Sequence, residues 1–357
     1  MYELVTLLEV LKVQKTPSSF WLNKFFPNQI NFDSEKIEFD RVNEDYRRLA
    51  PFVAPNVQGK VMTTEGFDTL SFKPAYVKPK HIVDIDKPFV RRPGEALGGS
   101  LTPAQRRDAA IADILKRHKE MHNMTREWMA VNAVATGKVT VKGENYPTVT
   151  VDFKRDASLT KVLVGGAKWD VVPADAAAEK AQGIAMLGDI YGSRTDSNTL
   201  CGAVIRDVIF GRDAWALFSR NAHIQSLLDK TVRGSDTEFT KLNDGFEDSA
   251  EYLGSLVGAN GSGLVRMWLY SGKYKNEADV LTDLLDPTLV VGVDGATLQG
   301  FRCYGAIRDG KAGFQALDMF PKNWEDEDPW NEYLMTQSAP LMVPKQPNAS
   351  FSIKVKA

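Results

Sequence analysis

Two histidines at a spacing suited to a shared metal ion are the first residues that suggest chemistry. His118 and His122 stand at i and i+4 in the run HKEMH, the spacing by which a helix offers two imidazoles to one zinc ion. A zinc peptidase needs Glu directly after the first His, where this chain has Lys119. Only His81 and His223 remain as further imidazoles. The pattern therefore favours a half-buried helix face over a metal site.

A glycine-rich run and an acidic run are equally weak as functional motifs. The run GANGSG at 258–263 has neither the G-x-G-x-x-G order nor the G-K-S/T ending of a nucleotide site, and it predicts a flexible turn. In an extended segment the side chains of 325–328 alternate in direction and cannot all converge on a cation, so these acids predict a solvated loop. No G-x-S-x-G elbow is present. We predict no catalytic residue, no metal and no cofactor, and hence no enzyme.

Length and charge narrow the class of protein further. The chain has 357 residues and a mass of 39.6 kDa, enough for two or three domains. The chain has 44 basic and 46 acidic residues and a pI near 6.2, so it lacks the basic excess expected of a dedicated nucleic-acid-binding protein. Two cysteines, Cys201 and Cys303, predict core thiols in a reducing compartment. No signal peptide and no run of 18 apolar residues is found, so no membrane contact is expected.

The N-terminal segment predicts an arm that needs a partner. Leucines at three- and four-residue spacing place one apolar stripe on a short helix: Leu4, Leu7, Leu8 and Leu11. The run TPSSFWLNKFFP then carries four aromatic residues that cannot all be buried against so short a local segment: Phe20, Trp21, Phe25 and Phe26. We expect this arm to pack elsewhere, with another subunit as one candidate.

Residues 53–93 predict a projecting hairpin. Val57, Gly59 and Val61 alternate with polar residues, a Thr-Glu-Gly turn follows, and strand-like residues resume over 67–72. Prolines at 74, 79 and 88 and frequent charges leave little to bury, so the hairpin should extend from the body with an exposed edge.

A long helix and a second hairpin follow. Thr102, Pro103 and Gln105 give an N-cap, a proline in the first turn and a capping box, and Gly137 supplies the stop. The helix between them would be roughly 50 Å long at 1.5 Å per residue. The run from 138 to 153 predicts a hairpin packed against this helix.

Beyond Pro173 the pattern predicts a second, α+β domain. The predicted helices cover 174–191, 213–228 and 237–256, and the predicted strands cover 203–210, 264–270, 289–293 and 302–307. The tail over 335–355 is predicted to be extended, with a return to the first domain as one possibility.

Charge is unevenly distributed along the chain. Residues 73–119 hold eleven Lys and Arg against five acids, net +6, whereas 318–333 hold six acids against one Lys, net −5. Opposite patches on one molecule suit head-to-tail association of copies. The alternative is two unrelated solvated faces.

Several ordered motifs resemble one known family. VAPNVQGKV, FKPAYVKPKH and VRRPGE lie between 53 and 95, and FPKNW and MTQSAPLMV lie between 320 and 343. DAWALF, RGS and YSGKY fall between them in matching order. Together they resemble the lambda-like tailed-phage major capsid protein E family over nearly the whole chain, with 162–200 as the part that shows no correspondence.

The resemblance implies the α+β major capsid fold shared by tailed phages and herpesviruses. That fold has an N-terminal arm, an extended β-hairpin loop, a peripheral domain with a long spine helix, and an axial domain. The corresponding ranges here are 1–50 for the arm and linker, 51–99 for the extended loop, 100–172 for the peripheral domain with its spine helix over 102–137, 173–310 for the axial domain, and 311–357 for a C-terminal segment returning to the peripheral domain.

The function implied is a structural protein of the virion. Copies would form hexamers and pentamers of an icosahedral head around double-stranded DNA, which they would contact weakly and without sequence preference. The implied partners are further copies, a scaffold or protease, a portal and a decoration protein. The candidate contacts between copies are Leu4, Leu8, Leu11, Phe20, Trp21, Phe25, Phe26, Tyr76, Lys78, Lys80, Arg91, Arg92, Glu325, Asp326, Glu327 and Asp328.

Two alternatives stay open at this point. One is another phage structural component, such as a tail-tube or scaffolding protein. The other is a soluble enzyme with a site built from scattered residues, for which HKEMH or the acids at 325–328 would be the place to look. Detection of bound zinc by elemental analysis would favour the enzyme.

Overall fold

The computed structural model describes residues 19–34, 36–42, 50, 52, 55–56, 58, 67–83, 89–90, 101–143, 146–232, 246–247, 249–257, 264–276, 278–327 and 330–356. Its helices are α1 (Phe20–Phe25), α2 (Pro103–Thr136), α3 (Ala176–Cys201), α4 (Arg212–Arg220), α5 (Ala222–Val232) and α6 (Gly295–Leu298). Its strands are β1 (Asn28–Phe32), β2 (Ile37–Val42), β3 (Phe67–Phe72), β4 (Lys80–Val83), β5 (Lys138–Gly143), β6 (Tyr146–Asp152), β7 (Thr160–Val162), β8 (Asp207–Phe210), β9 (Phe246–Glu247), β10 (Ala250–Val257), β11 (Leu264–Tyr270), β12 (Lys273–Lys275), β13 (Leu281–Asp283), β14 (Leu289–Val293), β15 (Phe301–Gly305), β16 (Phe320–Glu327), β17 (Trp330–Gln337), β18 (Pro340–Val343) and β19 (Ser350–Lys354).

The described strands form one large sheet and several small ones. The seven-stranded sheet has the order β7-β19-β14-β8-β11-β10-β9 and mixes parallel with antiparallel pairs. Two three-stranded sheets have the orders β1-β15-β18 and β16-β17-β4. Three two-stranded ribbons pair β2 with β3, β5 with β6, and β12 with β13. The mixture confirms the α+β fold class.

Helix α2 is the spine helix that the sequence predicted. The Thr102 side chain accepts a hydrogen bond from the backbone N–H of Gln105, and the Gln105 side chain accepts one from the backbone N–H of Thr102. At the other end Gly137 adopts a φ of 70°, the left-handed conformation that ends the helix at low steric cost. Strands β5 and β6 follow directly as the predicted hairpin.

The main core lies where the second half of α2 meets α1 and strands of several sheets. It gathers side chains of α1, α2, β14, β15 and β18, including Val134, Val293 and Met342. A second core fills the space between α3, α4 and the seven-stranded sheet, around Phe210 and Phe218. A small third cluster joins Val83 of β4 to the first half of α2. The two halves of the spine helix therefore contribute to two different hydrophobic clusters.

The predicted helix over 237–256 is wrong in its C-terminal part. Residues 250–257 form β10, which pairs antiparallel with β11 and carries a β-bulge between Tyr252 and Gly254. The edge of β11 supplies backbone partners that periodicity cannot reveal, and Tyr252 packs on Trp268 across the pair. Residues 237–245 lie outside the described part of the chain.

Strand β3 also has a partner that the sequence did not predict. Strand β3 pairs with β2, from Ile37 opposite Phe72 to Val42 opposite Phe67, and so crosses the expected boundary at residue 51. Ile37 is fully buried, and Phe72 packs on Phe153 at the base of this ribbon. Burial of these apolar residues selects the partner strand. Residues 57 and 59–61, expected to pair with β3, lie outside the described residues.

The C-terminal segment is shared between two units. Strand β17 pairs with β4, and β18 packs against α2, as a return to the first domain requires. Strand β19 instead enters the seven-stranded sheet between β7 and β14. Strand β19 therefore has one neighbour from the range 100–172 and one from the range 173–310.

Candidate assembly surface

The four arm aromatics are buried within their own chain. Phe20 and Trp21 contact Tyr270 of β11, and Phe25 contacts both of them. With Phe26 they are between 0% and 2% exposed. The arm thus packs elsewhere, as expected, but on its own chain rather than on the candidate neighbouring subunit, because residues more than 100 positions away in the sequence cover these side chains.

Helix α1 is held at both ends by charged side chains. The Glu127 carboxylate of α2 accepts hydrogen bonds from the backbone N–H groups of Trp21 and Leu22, at 3.0 and 3.1 Å. Arg302 donates to the backbone oxygens of Leu22 and Phe26 at 2.8 and 2.7 Å. A carboxylate at the N-terminus and a guanidinium at the C-terminus both complement the helix dipole. Burial raises the pKa of Glu127, and its hydrogen bonds oppose that rise.

The two oppositely charged segments meet within the chain. Strand β4 of the basic segment is hydrogen-bonded to β17 of the acidic segment. Arg107 lies 3.3 Å from Glu325 and 2.8 Å from Glu332, which is buried. The expectation of two separate patches suited to head-to-tail association is thereby corrected for these residues, since part of their charge is paired inside one molecule.

The outward face of the β16-β17-β4 sheet carries the predicted lysines. Lys80 is exposed, and its ammonium lies 3.9 Å from the ring centre of Tyr333 and 4.9 Å from that of Trp324. These two rings stack with centres 5.3 Å apart. Lys78 is exposed above the Tyr76 ring. The lysine charges therefore remain accessible on a rigid aromatic base.

Tyr76 is fixed to the body of the chain. Its hydroxyl donates to the backbone oxygen of Ala306 at 2.6 Å and accepts from the backbone N–H of Arg308. The Tyr76 side chain is half-buried.

The acidic run is a strand end rather than a loop. Residues 325–327 complete β16, with Glu325 half-buried against Arg107 and Asp326 exposed. The side chain of Glu327 and all of Asp328 lie outside the described part. The same holds for Leu4, Leu8, Leu11, Arg91 and Arg92, and for the glycine-rich run at 258–263.

The two helical histidines are buried and serve the packing of α2. His122 Nε2 lies 2.9 Å from the Thr336 hydroxyl, and His118 Nε2 lies 2.7 Å from His81 Nδ1. Burial lowers the pKa of His118 to about 4 and that of His122 to about 3. Among the described residues, no group of three or more His, Cys, Asp or Glu side chains could hold a metal ion.

Exposed apolar side chains around α3 were not singled out from the sequence. Four of them lie in β7, in the segment that follows it, and on α3: Val162, Val164, Val172 and Ile184. They fall in 162–200, where no motif resemblance was found. These residues differ from core residues of the same type only in being exposed in the folded domain. Composition alone therefore could not identify them.

No helix within the described ranges has the length and apolarity needed to cross a bilayer. Neither thiol is in a disulfide: Cys303 is buried, which raises its pKa to about 12, and Cys201 is partly buried and donates a hydrogen bond to the backbone oxygen of Ser197.

Comparison with known proteins gives one consistent result. The chain matches the family model described as phage major capsid protein E over residues 3–355. It is 32% identical over 361 residues to the major capsid protein of Enterobacteria phage phi80, covering 99% of each chain. It is 30% identical over 360 residues to that of Escherichia phage lambda, again covering 99% of each.

The fold agrees with the sequence match. The crystal structure of a prophage capsid protein from Escherichia coli CFT073 superposes with a TM-score of 0.71 and 26% identity, covering 99% of both chains. The mature capsid of bacteriophage PhiM1 shares the fold alone, with a TM-score of 0.51 and 12% identity over 96% of this chain and 88% of that one. Together with these matches, a capped spine helix, a two-stranded ribbon and a mixed sheet define a shell protein of the tailed-phage type. Within that class, the chain belongs to the phage major capsid protein E family, as the motifs predicted.

Proposed function

We propose that copies of this chain assemble into hexamers and pentamers that close into an icosahedral phage head around double-stranded DNA. The observation that carries the proposal is the full-length match to a prophage capsid protein, with a TM-score of 0.71 over 99% of both chains. The relatives named major capsid proteins match over the same extent. The proposed role is structural and requires no catalysis by this chain.

The surface supports association between copies. The exposed apolar residues around α3 have no cover within the described part of the chain, and burying them between subunits would be favourable by about 25 cal/mol per Å². The ribbon of β2 and β3 is paired only within itself among the described strands. Both features fit a protein that gains contacts on assembly.

The remaining sequence candidates keep their proposed role as contacts between copies. Lys78, Lys80 and Asp326 are exposed and able to form ion pairs with a neighbour. The residues that lie outside the described part, Leu4, Leu8, Leu11, Arg91, Arg92 and Asp328, stay predictions. Tyr76 and Glu325 would contribute chiefly by fixing the position of the exposed lysines and acids around them.

The further partners are proposed from the family. They are a scaffold or protease, a portal and a decoration protein, with weak backbone contacts to packaged DNA. Assembly would take place in the host cytoplasm, and the final location would be the virion.

Assembly of the purified chain is the direct test. The full chain is expressed alone and examined by size-exclusion chromatography and negative-stain electron microscopy, with rings, tubes or shells expected. Ile184→Glu places a charge on the exposed apolar surface and should shift the protein toward free subunits, whereas Ile184→Leu should assemble as the parent does. A parent chain that stays monomeric even when co-expressed with the neighbouring head genes would contradict the proposed function. Normal assembly of Ile184→Glu would show that the exposed apolar surface around α3 is not a contact between copies.

A further inference from the structure

The loop between β15 and β16 carries an exposed aromatic side chain in an unusual backbone conformation. Phe314 lies in this loop and its side chain is 64% exposed. Its φ is 58°, in the left-handed region. A bulky residue has a steric cost in that region, whereas Gly and Asn occupy it readily. Both the backbone and the surroundings of this position therefore disfavour phenylalanine.

The turn at Phe314 is one that usually contains glycine. Gly313 and Phe314 are two successive residues with positive φ, at 62° and 58°. The backbone N–H of Gln315 donates to the backbone oxygen of Ala312 across them, at 3.3 Å. This combination fits a type I′ turn, in which Gly is favoured at the second central position. Phe314 occupies that position.

The loop is braced, so Phe314 is held in a defined place. Ala306 and Ala316 form an antiparallel bridge at the base of the loop. The Asp309 carboxylate lies 2.6 Å from the Lys322 ammonium of β16. It also accepts a hydrogen bond from the backbone N–H of Lys311 at 3.0 Å. These contacts fix the loop to the sheet below it.

The Phe314 ring does not serve the packing of its own loop. The small hydrophobic cluster under the loop consists of Ile307, Ala312 and Phe320, with Leu317 packed against it. Phe314 is not a member of any of the clusters formed by the described residues. The ring therefore adds little to the stability of an isolated subunit.

Further apolar surface is exposed on the sheet that carries the loop. Side chains alternate along β16, so Lys322, which pairs with the loop, lies on the same outward face as Trp324. On β4 this face exposes Ile82, which is 54% exposed and lies opposite Tyr333 in the ladder. Phe314 thus belongs to a partly apolar side of the molecule and is not an isolated exposed residue.

We propose that Phe314 is an anchor residue that becomes buried against a second copy of this chain when copies assemble. The inference rests on the proposed function and adds a contact residue that the sequence did not single out. Aromatic side chains are enriched among the residues that carry the binding energy of protein interfaces. A braced loop presents such a side chain with little loss of conformational entropy on binding. Burial in an interface would compensate for the steric cost of the left-handed conformation.

The chemistry of the position favours protein over nucleic acid as the partner. A phenyl ring offers no hydrogen-bond donor to a phosphate, and a DNA duplex leaves no base face free for stacking. The exposed ammonium of Lys311 in the same loop is suited to an acidic side chain of the neighbouring copy.

Photo-crosslinking identifies the partner directly. Phe314→p-benzoylphenylalanine is introduced into the full chain, and particles verified by electron microscopy are irradiated. We expect a product of twice the chain mass on denaturing gels, with mass spectrometry joining position 314 to a second peptide of this chain. Crosslinks only to nucleic acid, which nuclease would remove, or only within one chain would overturn the proposal. Particles that give no crosslink would overturn it as well.

Two substitutions separate the anchor from the fold. Phe314→Asn introduces a residue that tolerates positive φ, so its subunit should unfold at the urea concentration of the parent or a higher one. The concentration of free subunit in equilibrium with particles should rise by about 10-fold or more. Phe314→Tyr keeps the ring and should assemble as the parent does.

The outcomes separate this inference from the proposed function. A parent chain that forms no particles, even with the neighbouring head genes, would overturn both. Particles of Phe314→Asn that form as readily as those of the parent would overturn only the role of Phe314. A Phe314→Asn subunit less stable than the parent would show that the ring serves the fold, which would also overturn that role.

Discussion

The Glu127 carboxylate accepts a hydrogen bond from the backbone N–H of Trp21 at 3.0 Å, although the two residues are 106 positions apart in the sequence. This contact and its neighbour at Leu22 satisfy two of the N–H groups that a helix leaves unpaired at its start. They also fix the aromatic cluster of α1 over the spine helix. The first described element of the chain is thus part of the subunit core.

Removing that carboxylate should weaken the folded subunit. Glu127→Ala leaves two N–H groups of α1 without their acceptor, and we expect the free energy of unfolding to fall by about 2–4 kcal/mol. Urea unfolding followed by tryptophan fluorescence measures this, because Trp21 lies at the site. Glu120→Ala on the exposed face of the same helix is the matched control and should stay within about 0.5 kcal/mol of the parent. Equal losses in both variants would contradict the role of Glu127.

Shortening the N-terminus should separate folding from assembly. Deleting residues 1–26 removes four buried aromatic side chains, and we expect it to unfold the subunit as well as to prevent assembly. Deleting residues 1–18 keeps α1 and should leave a folded subunit. Circular dichroism reports folding, and electron microscopy reports particles. A cooperative thermal transition in the chain lacking residues 1–26 would show that the burial of α1 is dispensable.

Two glycines that end helices should differ in their tolerance of alanine. Gly137 and Gly202 have φ values of 70° and 74°, so a side chain at either position costs about 1–2 kcal/mol. A Cβ at Gly137 would also lie 2.8 Å from the Cβ of Arg155, whereas one at Gly202 would meet nothing within 4 Å. Thermal unfolding should therefore show a larger loss for Gly137→Ala than for Gly202→Ala. Equal losses would mean that Arg155 adjusts freely.

Movement of the Arg155 side chain should be costly because its guanidinium makes several hydrogen bonds. It donates to the backbone oxygens of Val134 and Ala135 at 2.6 and 2.9 Å, and to the Ser352 hydroxyl at 2.9 Å. The guanidinium thus joins the C-terminus of the spine helix to the last strand.

The Arg107 ion pairs should be unequal in their effect on stability. Arg107→Met leaves Glu332 buried without its cation and should cost about 3–5 kcal/mol in urea unfolding. The double change Arg107→Met with Glu332→Leu should recover most of that loss, because no buried charge remains. Glu325→Ala removes a more exposed partner and should cost less than about 1 kcal/mol. A double variant no more stable than Arg107→Met would contradict this account.

Local signals in the sequence determined the elements that depend on near neighbours. Thr102, Pro103, Gln105 and Gly137 defined the spine helix because capping and left-handed termination involve residues within one helical turn. The hairpin of β5 and β6 followed from alternation around a short turn. The ordered motifs, matched as a set, identified the family without any structure.

The tertiary structure alone decided which distant residues meet. In the sequence, the aromatic residues of α1 have no neighbours that could bury them. In the fold, Tyr270 packs against them, and Glu127 and Arg302 hold the backbone of α1. The charged segments looked like separate patches until the pairing of β4 with β17 brought Arg107 beside Glu332. Residues 250–257 became a strand because the edge of β11 offered hydrogen bonds. In each case the deciding energy comes from contacts between residues far apart in sequence, which local propensity and periodicity do not encode.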